Sequence, residues 1–419
     1  MEAEVNNEVE ELATLVTNSR FLYDTLVRVS LQASALTVQW MPSEGGSRSS
    51  CETSSSEGLI SRNLLVGSLD GLLKVYEAKV PGANYNEYYC SADPFRVVKA
   101  VAVDREINRA RYMPQRPNIV ALKCQTPEVA VINLDNTQSC EANEQLIIDE
   151  LDRVNSVKLS GHSDEGFGLS WNQTYAGYLL SGSHDGVVCV WDVSKAMESE
   201  SARTPIHKWN RCAVPVNDVT WNAKDASVFA YVTDDGQLIL DDVRVNSEKP
   251  LSTVKACDGG KVLSAAFNPE NAFILLTGSN KSGIKVWDTR KLREEVHWID
   301  CEDKEIYTLA WCPAKESVFA AGDTAAEVTL YDLSKIGEEI EDVTMEYGGA
   351  EKLFTHKFHL GEISDISWDK EIPWMIASVC EGCLCTLWKI TADIYEDDDS
   401  NVSINSSELD SMLNTSSEE

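Results

Sequence analysis

Apolar residues along the chain fall in runs of five or six, rich in β-branched types and cut by Gly, Asp, Asn and Ser. Runs of that length and composition suit strands. The clearest stretch opens at Gly161-His162, passes Leu169-Ser170-Trp171-Asn172 and continues through Leu179-Leu180-Ser181-Gly182-Ser183. It turns at His184-Asp185-Gly186 and ends with Val187-Val188-Cys189-Val190-Trp191-Asp192. Asp-Gly signals a tight hairpin, because glycine accepts positive φ. Comparable turns are expected at Asp70-Gly71, Asp235-Gly236, Ser282-Gly283 and Glu381-Gly382. One fixed interval joins the units. It separates Tyr112 from Ile132, Trp171 from Trp191, Trp221 from Asp241, Phe267 from Trp287, Trp311 from Tyr331 and Trp368 from Trp388.

The leading markers recur roughly every 45–60 residues, near the blade period of a propeller with tolerant loops. A further unit is supplied by Leu36-Thr37-Val38-Gln39-Trp40, whose partner strand reaches Tyr76 after a longer interval. The excess is a Ser-rich insertion, residues 43–61, read as a solvated loop. The Gly-His opening and Trp-Asp close resemble the WD-repeat family. The expected fold is all-β: a seven-bladed WD-repeat β-propeller with an N-terminal α-helix and a short C-terminal helix near Ala392–Tyr395. Closing the ring removes exposed sheet edges. The expected organisation is an acidic helix over residues 1–31 that docks on the propeller. The propeller follows over 32–392, and a mostly disordered acidic tail over 393–419. Val5, Val9, Leu12 and Val16 follow the spacing of one helical face.

Composition narrows the picture. No segment approaches about 18 uncharged apolar residues, so no membrane partner is expected. The acidic start lacks a signal-peptide pattern, which points to an intracellular protein. The 12 Cys then read as reduced thiols. Cys380, Cys383 and Cys385 lack a second Cys/His pair at zinc spacing and read as packing; His356 and His359 read as exposed strand and loop residues. No cofactor or metal is expected. No phosphate-binding glycine loop, nucleophile elbow or His/Glu metal motif appears, which argues against an enzyme.

Net charge is −32. Removing the 14 acids of residues 1–11 and 393–419 leaves 54 against 36 basic residues, a body still at −18. Such a field disfavours direct nucleic-acid binding and favours basic partners. Position adds more than count. Six positions before the leading markers stand Glu106, Glu165, Pro215, Lys261, Glu305 and Glu362. Two positions further on stand Asn108, Phe167, Asn217, Leu263, Tyr307 and Ser364. These loops should converge on one channel face, with Glu381 beside them. Carboxylates next to aromatics suit an Arg guanidinium, which pairs and stacks.

Several runs narrow the resemblance. They include Phe21-Leu22-Tyr23-Asp24, Asn108-Arg109-Ala110-Arg111-Tyr112-Met113-Pro114-Gln115, Glu165-Gly166-Phe167-Gly168-Leu169-Ser170-Trp171-Asn172 and Leu333-Ser334-Lys335-Ile336-Gly337-Glu338-Glu339. From about residue 9 to 398 the chain resembles the retinoblastoma-binding histone-chaperone family, the small subunit of chromatin assembly factor, as a divergent member. The resemblance implies a nuclear histone-binding subunit that presents histones to chromatin assembly, modifying or remodelling complexes. It implies two sites. The basic tail of histone three would meet Glu106, Asn108, Glu165, Phe167, Glu305, Tyr307 and Glu381 on the channel face. The first helix of histone four would lie in a side groove at Phe21, Leu22, Ile336, Glu346, Glu351, Leu353 and Phe354. The acidic loop 337–352 would rim that groove. Further partners would be subunits of chromatin assembly, deacetylase, remodelling or Polycomb complexes. Two alternatives stay open: a WD-repeat scaffold subunit of a chromatin complex with weakened or lost direct histone binding, or an acidic chaperone of other basic clients such as ribosomal proteins. Departures from the family pattern include Asn217 for a Glu, Leu263 for an Asn and Gly349-Ala350 in place of a Pro-Pro.

Overall fold

The computed structural model describes residues 17–43, 58–82, 88–90, 95–103, 105–140, 147–151, 153–245, 249–302, 304–338 and 349–396. Their strands form seven sheets, the blades, antiparallel throughout except where Asp149–Glu150 adds in parallel to Phe95–Ala102 in the first. The innermost strands are Ala35–Trp40, Ile107–Met113, Leu169–Trp171, Val216–Trp221, Val262–Phe267, Ile306–Trp311 and Ile363–Trp368, numbered here as blades 1 to 7. Each touches the next, and blade 7 touches blade 1, so the ring closes around a central channel.

The fixed marker interval is a cross-strand rank. Trp171 lies opposite Leu179, which lies opposite Trp191; Trp368, Ile376 and Trp388 repeat the pattern. The two steps are the same in both blades, so the markers of three adjacent strands stand side by side. In blade 1 the rank is Trp40, Leu64 and Tyr76, and the whole excess falls in the first step. Part of that excess is strand: Leu59, Ile60 and Ser61 pair with Pro81, Val80 and Lys79, so residues 59–61 are not loop.

An aromatic serves at the marker because it fills the gap between blades, and at three markers it also donates across that gap. The indole N–H of Trp171, Trp311 and Trp368 donates to the carbonyls of Arg111, Ala266 and Ala310 on the preceding blade. In the third strand of the rank, Trp191, Trp287 and Trp388 are fully buried and donate to Ser181, Thr277 and Ser378.

The N-terminal expectation is corrected in one respect. Residues 17–22 are helical, here α1, but Tyr23–Ser30 is the outermost strand of blade 7, paired with Leu384–Ile390. Thr25 and Val27 are buried there as β-branched strand residues. Val5, Val9, Leu12 and Val16 lie outside the described residues. Helix α2 spans Val193–Glu198, and α3 spans Ala392–Tyr395, where Tyr395 stacks on Trp374 at 4.0 Å.

The histidines are also corrected. His356 is 0% exposed, lies parallel to Trp388 at 4.3 Å and meets the Tyr23 hydroxyl at 2.9 Å. His359 is buried against Ser378 at 2.7 Å. Burial, then the nearby Arg28, pulls His359 down to about 3. Both rings complete the aromatic packing where the N-terminal strand meets blades 6 and 7, so they cannot face water. Cys380 and Cys385 are buried in the same blade, and Cys383 occupies its turn. Gly186 has φ 75°, and a Cβ there would stand 2.2 Å from the Cys212 carbonyl oxygen. In blade 7 the left-handed residue is Cys383, φ 55°, instead of Gly382.

Lys123 is a buried liability. Its amine is fully enclosed without a hydrogen-bond partner among the described residues, and burial lowers it to about 8. Lys123→Met is expected to stabilise the fold by about 1–3 kcal/mol at pH 7. Its folded pKa lies below the unfolded value, so the wild-type penalty fades as pH rises from about 8 to 10.5. Urea melts at pH 7 and 10 check this; a gain that is equal at both would refute it.

Candidate functional site

Six of the seven blades present their innermost strands to the channel through the same local device. In blades 1, 2 and 4 to 7 the pairing register shifts between the fifth and third residues before the marker. A bulge frees one residue and re-aims it. The freed residues are Leu36, Asn108, Asn217, Leu263, Tyr307 and Ser364. Just before them, the carbonyls of Glu106, Glu165, Glu305 and Glu362 accept N–H bonds from Gln125, His184, Thr324 and Glu381 at 2.8–3.2 Å. These equivalent bonds hold all four glutamates, and Glu381 with them, on one face of the ring.

The acids are unevenly distributed on that face. In blades 4 and 5, Pro215 takes one position, and Lys261 neutralises Asp234 at 2.7 Å. Blades 6 and 7 carry Glu305, Glu362 and Glu381 around Tyr307. Burial pushes the Tyr307 hydroxyl up to about 12, helped by Glu362, Glu305 and Glu381. Burial, then Glu381 and Glu305, raises Glu362 above the usual carboxylate range, against a hydrogen bond from Tyr307. Like charges crowd here without a described cation between them. Beside them lies a recess of about 320 Å³, lined by Arg109, Phe167, Leu263, Tyr307, Glu362 and Glu381.

The other expected residues fall as follows. Phe167 is half-exposed on the recess, 5.8 Å from the His184 ring. Glu165 accepts a bond from Asn108 Nδ2 at 3.1 Å. Asn108 itself is 3% exposed, and the same nitrogen reaches the Gly166 carbonyl. It is therefore a buried brace for Glu165, not an open contact. Asn217 makes the matching pair of bonds to Asp234 and the Val262 carbonyl. Glu106 is half-buried on the blade 2 rim.

The side-groove residues divide. Leu22, Leu353 and Phe354 are half-buried against one core cluster, with Phe354 edge-on to Tyr23 at 5.3 Å. Phe21 and Ile336 are exposed. Glu351 turns the other way, 3.4 Å from His297 on blade 5. Glu346 lies outside the described residues.

The middle of the channel holds a set that the acidic offset does not include. Asp365 is buried and accepts both nitrogens of Arg111 at 2.8 and 3.0 Å, Arg109 at 3.1 Å, the Thr37 hydroxyl and the Val38 N–H. Arg109 also reaches the Phe167 carbonyl at 3.4 Å. Burial raises the Asp365 carboxyl, but Arg111 and Arg109 outweigh it and hold it below the usual range. Asp218, also in the channel wall, is pushed upward by burial. Arg109, Asp218 and Asp365 all stand three positions before their markers, so an offset of three carries the signal that finds them.

Known proteins share this arrangement of repeats. A family model described as histone-binding protein RBBP4, or the C subunit of the CAF1 complex, matches residues 10–70. The WD domain, G-beta repeat model matches residues 152–192 and 248–288. The WD-40 repeat-containing protein MSI3 of Arabidopsis thaliana is 30% identical over 406 residues, covering 95% of this chain and 93% of that protein.

Proposed function

Because the chain belongs to the WD-repeat family of histone-binding protein RBBP4 and its CAF1-complex counterpart, we propose that it grips the basic tail of histone three on its acidic channel face. The observation that carries this reading is the uncompensated cluster of Glu305, Glu362 and Glu381 around Tyr307. A Lys or Arg side chain entering the recess supplies the missing positive charge. Charge-assisted hydrogen bonds in a half-enclosed site are stronger than exposed surface pairs, which contribute only about 0–1 kcal/mol. Phe167 and Tyr307 offer faces for a guanidinium. The two arginines beneath set the depth, because a second cation is repelled there. In this reading the protein is a nuclear binding subunit that delivers histones to assembly, modifying or remodelling complexes.

A second contact is proposed for the first helix of histone four. Phe21 and Ile336 are exposed apolar side chains, and Leu22, Leu353 and Phe354 are half-buried on one core cluster. An amphipathic helix with a basic flank would cover them. Glu351 has no part in that contact, since it faces blade 5.

Purified core histones passed over the immobilised full chain at rising salt test both parts. Retention is expected at physiological salt, with a tail peptide of histone three eluting at lower salt than intact histones, since it engages one site alone. Failure to retain either histone would leave a scaffold role without direct grip.

A further inference from the structure

The marker rank also measures depth in the channel. Residues six and four before the marker form the upper mouth, and those three before form the waist. Two positions after the marker stand Pro42, Pro114, Gln173, Ala223, Pro269, Pro313 and Lys370, at the opposite mouth. A second recess of about 340 Å³ runs from Tyr307 past the arginine waist to Lys370. Its charged lining consists of Arg109, Arg111, Asp218, Asp365 and Lys370. Two carboxylates therefore face three cations.

Arg109 and Arg111 are held by Asp365, at 3.1 and 2.8 Å. Lys370 has no ion pair or hydrogen bond with any described residue. The residue is exposed at the rim of the recess, and the protein packed on its inner side draws its amine below the ordinary lysine range. The surroundings offer it little. Pro269 and Pro313 beside it have no N–H and present apolar rings. Ser367 lines the same recess; its oxygen accepts the Trp40 N–H at 3.0 Å, which leaves its hydroxyl proton to donate. The Arg111 side chain is 20% exposed, so part of the guanidinium faces the same space.

We propose that the lower mouth of the channel binds a small oxyanion of the phosphate class, with Lys370 as its principal contact and Ser367 and Arg111 as further donors. Lys370 and Ser367 of blade 7 and Arg111 of blade 2 line the recess together, and an ammonium, a hydroxyl and a guanidinium suit an anion with three or four oxygens better than a carboxylate with two. The anion supplies the charge that this half of the channel lacks. The channel is then polar along its axis, taking cations at one mouth and anions at the other. This site does not depend on the histone reading, since it lies on the far side of the waist.

The test is thermal melting of the full chain against inorganic phosphate at constant ionic strength, with acetate as the carboxylate arm. Binding to the folded state raises the melting temperature in a saturable way. Wild type is expected to show saturable stabilisation by phosphate and at least tenfold weaker stabilisation by acetate. Lys370→Ala should weaken apparent phosphate affinity at least tenfold, whereas Lys370→Arg should stay within about threefold of wild type. Glu200→Gln, on an exposed turn outside the channel, should leave it unchanged. No saturable stabilisation of wild type, or equal stabilisation of Lys370→Ala, would overturn the site. Acetate acting as strongly as phosphate would overturn the phosphate class.

Discussion

Asp365→Ala should cost the fold about 3–5 kcal/mol, the largest single-residue effect expected here. The substitution removes the acceptor of both guanidiniums, the Thr37 hydroxyl and the Val38 N–H in one step. Two cations then remain in the channel wall without the carboxylate that paired them, and the side chain that joined blades 7, 1 and 2 is gone. Asp365→Asn should lie between the two, since an amide oxygen keeps one acceptor but no charge. The acid behaviour follows from the same pairing. The Asp365 carboxyl is held low, so its contribution is complete above the ordinary carboxylate pKa and is lost as pH falls through the folded value. Asp218 runs the other way: raised by burial, it takes a proton first on acidification, and the folded state gains relative stability through that step. Urea unfolding at pH 7 checks the main effect, and a loss under about 1 kcal/mol for Asp365→Ala would show that the waist is a bystander.

The second large effect concerns binding alone. Converting Glu305, Glu362 and Glu381 together to Gln should weaken the histone-three tail about a hundredfold at low salt, roughly 2.8 kcal/mol. Stability should not suffer. Glu362 is raised by burial and by its two acidic neighbours, so wild type loses stability as pH rises from the ordinary glutamate pKa through the folded one. The triple variant lacks that slope and should be at least as stable at neutral pH. Fluorescence anisotropy with a labelled tail peptide gives the affinity, and calorimetric melts give the stability. Unchanged affinity in a folded triple variant would remove the channel face from histone recognition.

The blade architecture is legible because its signal is local. Strand, turn and strand sit within one short segment, as from Trp171 to Trp191, and the marker rank repeats with the same steps. The acidic offset is legible for the same reason. What the chain hides depends on contacts between distant segments. Nothing near Tyr23–Ser30 announces that it pairs with Leu384–Ile390. Residue type alone makes His356 and His359 look exposed, although aromatic neighbours from three segments enclose them. Asn108 looks like an open rim residue because its tie to Glu165 crosses between blades. Glu351 belongs to an acidic run that suggests the groove, but the chain turns it toward His297. The Arg109, Asp218 and Asp365 set is readable at its own offset, but only when basic and acidic positions are counted together.

The clasp between Tyr23–Ser30 and Leu384–Ile390 also orders events in time. On the ribosome the first strand emerges early, meets Tyr89 at a single bridge, and completes its pairing only once the chain has been made as far as Ile390. Until then blade 7 lacks its outer strand, and a bare sheet edge is open to wrong pairings. Contacts so far apart in sequence form slowly. Assembly of the toroid is thus gated by its final blade, and a nascent chain stalled before that point is the species most in need of a chaperone.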